Sequence, residues 1–167
     1  SCGHLRNQGV DGAVHLGRRG VPQRDEATGQ FYLHIFFKEQ PDLNWENPEV
    51  RREVRDLMRF WLDKGVDGFR LDTVNFYVHD KLLRDNPPLA PEDRNDTTAP
   101  AVNPYNFQDH LYDKTQPENL AFLKRLRALL DRYPDTTTVG EVGADNALEV
   151  IAQYTADGDK LHMAYSF

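Results

Sequence analysis

Two short apolar segments that each run into a carboxylate constrain this chain more than any other feature. Gly65, Val66, Phe69, Leu71 and Val74 make one segment read as a strand that follows a helix, yet it carries Arg70 and Asp72. Residues two apart on a strand share a face of the pleat, so both charged groups need a polar destination on one side. A second segment, Thr136-Thr137-Thr138-Val139-Gly140-Glu141-Val142, also ends in an acid. Carboxylates at the ends of successive strands in a helix–strand repeat suggest acid–base or nucleophilic chemistry.

The stretches around them set the repeat. Asn47 can cap a helix, Pro48 suits its first position, and Glu49 and Glu53 favour its positive end. Val50, Val54, Leu57, Met58 and Trp61 form an apolar stripe, and Arg51, Arg52, Arg55, Asp56 and Arg59 fill the other face, which reads as solvated. This predicts a helix over 48–64 that Gly65 ends, then a strand over 66–74. A second helix starts at Pro117-Glu118, with Leu120, Leu123, Leu126, Leu130 and Tyr133 on one stripe and Pro134 beyond its end. A strand over 136–142, a helix over about 146–155 and a strand over 160–167 complete the series.

Upstream, Phe31 to Phe37 is an aromatic and aliphatic run that predicts one more strand, and the turn Gln40-Pro41-Asp42-Leu43-Asn44 follows it. Residues 1–30 hold six glycines and no apolar period, so they read as irregular. Between 85 and 117 lies a polar stretch with six prolines. Tyr105, Phe107 and Tyr112 favour an ordered, functional loop over a linker.

Helix–strand alternation is the grammar of a parallel α/β sheet. Three repeating strands are too few for a complete (β/α)8 barrel, which takes about 250 residues. The expected fold is therefore α/β, a fragment of such a barrel.

Composition narrows the classes. Charged residues make up 28% and the net charge is −7, which argues against a nucleic-acid surface. A single cysteine, Cys2, excludes an internal disulfide and a Cys-based zinc cluster. No apolar run is long enough to span a membrane, and Ser1 to Gly20 has no apolar leader; a cytoplasmic location is expected.

In a parallel barrel the site forms at the carboxyl ends of the strands. Asp72 and Glu141 hold that place, and two such groups suit retaining glycoside hydrolysis when about 5–5.5 Å apart. Arg70 would keep Asp72 ionised, and an apolar surround would raise Glu141 toward a usable acid. By spacing alone the bland alternatives stand: Arg70–Asp72 as a structural ion pair, Glu141 as a cap or a solvated strand end.

DGFRLDTVN at 67–75 resembles the nucleophile strand of the α-amylase family (glycoside hydrolase family 13), and VGEV at 139–142 resembles its acid strand. QPDLN at 40–44 is similar to the signature near the end of the inserted B domain in the oligo-1,6-glucosidase and α-glucosidase subgroup. LNWENPEVR, HLYDKTQPENLAFL and GDKLHMAYSF also resemble stretches of bacterial exo-acting α-glucosidases, and the likeness runs over about 25–167.

It implies Asp72 as nucleophile, Glu141 as general acid/base and Arg70 as the residue that bonds the nucleophile. Thr73 implies α-1,4 linkages, where Val would imply α-1,6. Phe76 lines the pocket near the aglycone or simply packs. Residues 1–44 would be the end of the B domain, with 1–24 atypical, and 45–167 the partial barrel holding strands four to six.

The implied partner is an α-glucoside oligosaccharide, with no cofactor, nucleic acid or membrane. The family's metal loop and its D-x-x-x-N-H signature would lie upstream, so no metal site is assigned. Its third carboxylate, in an N-H-D stretch, would follow Phe167, and residues 1–167 alone are expected to be inactive. The alternatives are an oligo-1,6-glucosidase, a trehalose- or sucrose-acting relative, or a non-catalytic interaction module. His34, His79-Asp80 and His162 are expected to be structural, and Asp42 to bond backbone.

Overall fold

The computed structural model describes residues 21–82, 84–95 and 102–167. Two sheets are present among them. Strands β1 (Val21–Arg24) and β2 (Phe31–His34) form an antiparallel hairpin. Strands β3 (Gly68–Leu71), β4 (Thr137–Glu141) and β5 (Met163–Tyr165) form a parallel sheet in chain order. Helices α1 (Pro48–Asp63), α2 (Glu118–Leu130) and α3 (Ala147–Thr155) complete the pattern, with α2 and α3 as the crossovers between consecutive parallel strands. The expected series of helices and repeating strands is present. Residues 1–30 are expected to be irregular, but Val21–Arg24 forms β1 by pairing with β2, and residues 1–20 of the atypical 1–24 lie outside the described residues.

The start of α1 follows its local chemistry. Asn47 accepts from the Glu49 N–H at 2.9 Å, and Pro48, which has no N–H to satisfy, takes the first helical position. Lys64 caps the far end and Gly65 turns the chain away with φ of 90°, a conformation that favours glycine.

All four expected strands were too long, that over 136–142 by one residue at each end. The run from Phe31 ends as a strand at His34, leaving Phe36 and Phe37 exposed. The segment over 66–74 is strand only to Leu71, because Thr73 enters the left-handed region at φ of 41°. The last strand covers three residues of the eight expected.

The core lies between the sheet and its helices. Met58 and Leu62 of α1, Leu123, Leu126, Leu129 and Leu130 of α2, and Val150 and Tyr154 of α3 pack with Val74, Val142 and Leu161. Fully burying one such aliphatic side chain is worth about 1.5–3 kcal/mol, so the cluster drives the assembly. The α1 stripe differs from expectation: Leu57 and Trp61 are half exposed, while Leu62 is buried. β3 accordingly has a neighbour on one side only among the described residues.

The loop after β3 is ordered by polar and aromatic contacts where it is described. Tyr105 stacks on His110 at 3.7 Å, His110 Nδ1 lies 2.7 Å from Asp113, and Asn86 donates to the same carboxylate at 2.8 Å. Buried Lys114 donates to the Tyr105 hydroxyl at 2.8 Å, and burial lowers the lysine's pKa. No helix among the described residues is long and apolar enough to cross a membrane.

Candidate active site

Strand register places the candidate residues in one row. β3 pairs with β4 up to Leu71↔Gly140, so Asp72 and Glu141 are the next positions along their strands, and Glu141 is paired with Tyr165 of β5. All three positions lie at the carboxyl edge of the sheet. Arg70 sits two residues before Asp72 on β3 and points to the same face.

Arg70 binds both acids. One terminal nitrogen donates to Asp72 Oδ1 at 2.5 Å, and the other contacts Glu141 Oε2. Its Nε and Nη2 also donate to the Tyr165 hydroxyl, at 3.3 and 3.1 Å. The bonds to Tyr165, foremost, and to Asp72 raise the guanidinium pKa. Its planar fork thus reaches carboxylates on two strands, Glu141 as well as Asp72.

What distinguishes the acids is exposure. The Asp72 side chain is 70% exposed and that of Glu141 15%. Asp72 stands at the open strand end, whereas Glu141 is enclosed by its neighbours on both sides. A carboxylate free to meet an incoming carbon and a second held in a drier place suit displacement with proton transfer.

Thr73 and Asn75 aim this row. A β-branched residue at φ of 41° is strained, by an amount of order 1–3 kcal/mol that the surrounding contacts must offset. The turn sends the chain from β3 into a short 3-10 turn, Val74–Phe76. Fully buried Asn75 donates to Gly143 O and to Thr115 Oγ1 and accepts from Gly143 N, each at 3.0 Å. The segment after Asp72 is thereby tied to the segment after Glu141.

The other candidates fall as follows. Phe76 is buried, its ring 5.5 Å from that of Phe36. His34 is buried with Nδ1 against Phe36 O, and Asp42 bonds the Ile35 backbone while burial raises its pKa. Asp80 holds Arg84 at 2.8 Å, and His162 bonds Thr138 in the sheet. No group of three or more His, Cys, Asp or Glu suited to a metal occurs among the described residues. A separate groove, between α1 and α2, is lined by Arg51, Arg55, Arg125, Val54 and Phe122 and by none of the strand-end residues.

Sequence reasoning missed Tyr165. The available signal was its place at the end of the last strand, equivalent to that of Glu141 on the strand before.

Residues 19–167 match the α-amylase catalytic domain. The chain belongs to the α-amylase family. That family's catalytic domain is a (β/α)8 barrel, and β3–β5 with their helices are a piece of one, as expected from the helix–strand grammar. Among similar proteins, a probable α-glucosidase of Rhizobium meliloti is 58% identical over 146 residues, 87% of this chain and 26% of that protein. An oligo-1,6-glucosidase of Parageobacillus thermoglucosidasius is 40% identical, over 86% of this chain and 23% of its own. The crystal structure of an α-glucosyl transfer enzyme, XgtA, superposes with a TM-score of 0.78 at 52% identity, over 83% of this chain and 26% of that one. The chain thus spans about a quarter of the length of the α-amylase family relatives it matches.

Proposed function

We propose that this chain carries the nucleophile and the acid/base of a retaining α-glucosidase acting on terminal, non-reducing α-1,4-linked glucose. The carrying observation is the convergence of Asp72 and Glu141, from adjacent strand ends, on the single guanidinium of Arg70. In the first step Asp72 forms a bond to the anomeric carbon as the glycosidic C–O bond breaks, and the Glu141 proton passes to the leaving oxygen. In the second step Glu141 takes a proton from water, whose oxygen displaces Asp72. Arg70 orients both carboxylates, and Thr73 and Phe76 are assigned to substrate contacts on the strength of the family resemblance.

Several finer readings belong to this proposal. β3–β5 correspond to strands four to six of the barrel, and the β1–β2 hairpin with QPDLN to the end of the B domain, consistent with an antiparallel pair set apart from the parallel sheet. Thr73 favours α-1,4 over α-1,6 linkage. Transfer of glucose to an acceptor in place of water is a second outcome, favoured by the likeness to a structure titled as an α-glucosyl transfer enzyme.

Azide rescue in the whole protein tests the roles. Asp72→Ala with azide should form β-glucosyl azide from an activated α-glucoside, and Glu141→Ala with azide the α-anomer, because azide enters from the face each carboxylate has left. Identical anomers from both variants would refute the assignment. Turnover of maltose, isomaltose, trehalose and sucrose by the unmodified protein then decides the linkage.

A further inference from the structure

We propose that Tyr165 is a positioning residue for Glu141, holding its carboxyl in the orientation from which it exchanges a proton with the leaving and entering oxygens. The inference rests on the acid/base role given to Glu141 above. Three observations carry it. Tyr165 is the register partner of Glu141 on the adjacent parallel strand, so the two side chains rise at one level. The backbone continues the tie, since Val142 N–H donates to Tyr165 O at 2.8 Å. The Tyr165 hydroxyl lies 3.2 Å from Glu141 Oε2.

Donor inventory sets the direction of these bonds. A guanidinium has no acceptor, so the phenol oxygen must accept from Arg70 Nε and Nη2. The one hydroxyl proton is then available for Glu141. The Arg70 to Tyr165 leg has one direction only, and the hydroxyl then donates to Glu141 while that acid is ionised. Arg70 Nη2 thus meets both the Tyr165 hydroxyl and Glu141 Oε2, so the acid is held by the phenol and the guanidinium together. The Tyr165 ring is itself supported by an edge contact with Phe167, centroids 5.5 Å apart.

The test is Tyr165→Phe in the whole protein, with kcat/KM measured on α-glucosides whose leaving groups differ in acidity. Proton donation matters most for poor leaving groups, and general acid catalysis supplies about 10²–10⁴-fold. Partial loss of alignment should therefore lower kcat/KM for maltose or an alkyl glucoside by about ten- to hundredfold, and for a dinitrophenyl glucoside by less than about threefold. The Tyr165→Phe change should also cost almost nothing when made on a Glu141→Gln background, because the residue acts through Glu141.

An equal loss for every leaving group, or the same loss with and without Glu141, would make Tyr165 a packing residue and overturn the proposal. Full activity of Tyr165→Phe on maltose overturns it as well. If the unmodified protein turned over no α-glucoside, the glucosidase reading itself would fall, and this inference with it. An active protein indifferent to Glu141→Gln would remove the acid/base role first.

Discussion

Asn75 is the side chain whose removal most directly tests how the two strand ends are held together. It is fully buried, and its amide makes three bonds of 3.0 Å, one to Thr115 Oγ1 and two to the backbone of Gly143. Asn75→Ala deletes all three and strands the Gly143 N–H and C=O together with the Thr115 hydroxyl. Each lost bond costs about 1 kcal/mol net, and a group left without any partner about 1–3 kcal/mol. Gly143 is only half-buried, so water can re-engage part of it. The expected destabilisation is about 3–5 kcal/mol, a large share of a typical domain's 5–15 kcal/mol.

Urea unfolding of the whole protein, followed by fluorescence and by residual activity, measures this loss. A double-mutant cycle with Thr115→Val isolates one bond: the second change should cost about 1 kcal/mol in the parent and little on the Asn75→Ala background. Folded Asn75→Ala should also lose turnover, since a displacement near 1 Å at reacting groups costs about 10²-fold. A loss below about 1 kcal/mol with unchanged turnover would refute the claim that this amide sets the spacing of Asp72 and Glu141.

Two further outcomes follow from local geometry and charge. A Cβ at Gly140 would lie 2.6 Å from Leu161 Cδ1 and 3.0 Å from Val74 Cγ1, so Gly140→Ala should destabilise by about 1–3 kcal/mol through overpacking beside Glu141, read as a lowered urea midpoint. Asp159 bonds Lys124 and Lys160, each at 2.7 Å, and these bonds depress its pKa from 3.8 to about 2. Because the folded value is the lower one, its contribution is complete above 3.8 and fades as pH falls toward 2. Asp159→Asn should therefore flatten the acid limb of a stability profile, and an unchanged slope there would contradict the pairing.

Much of the architecture was legible from local patterns. The Asn47-Pro48 cap, the leucine stripe of α2 and the Gly65 stop are signals within a few residues, and the helices follow them closely. Strand lengths were overestimated because hydrophobicity continues past the point where pairing ends. Nothing in the alternation around Asp72 announces the left-handed turn at Thr73. The α1 stripe misled in the same way, since periodicity gives a face and not the neighbour that covers it.

The sequence by itself determined the family, the order of helices and strands, and the two carboxylates as candidates, because motifs and periodicities are written in adjacent residues. Only the tertiary structure decided that Arg70 serves both acids, that Tyr165 joins them, and that Asn75 ties the two strand ends. Arg70 meets Glu141 across 71 positions and Tyr165 across 95. Such meetings depend on strand order and register, which emerge from packing of the whole sheet and leave no trace in local spacing.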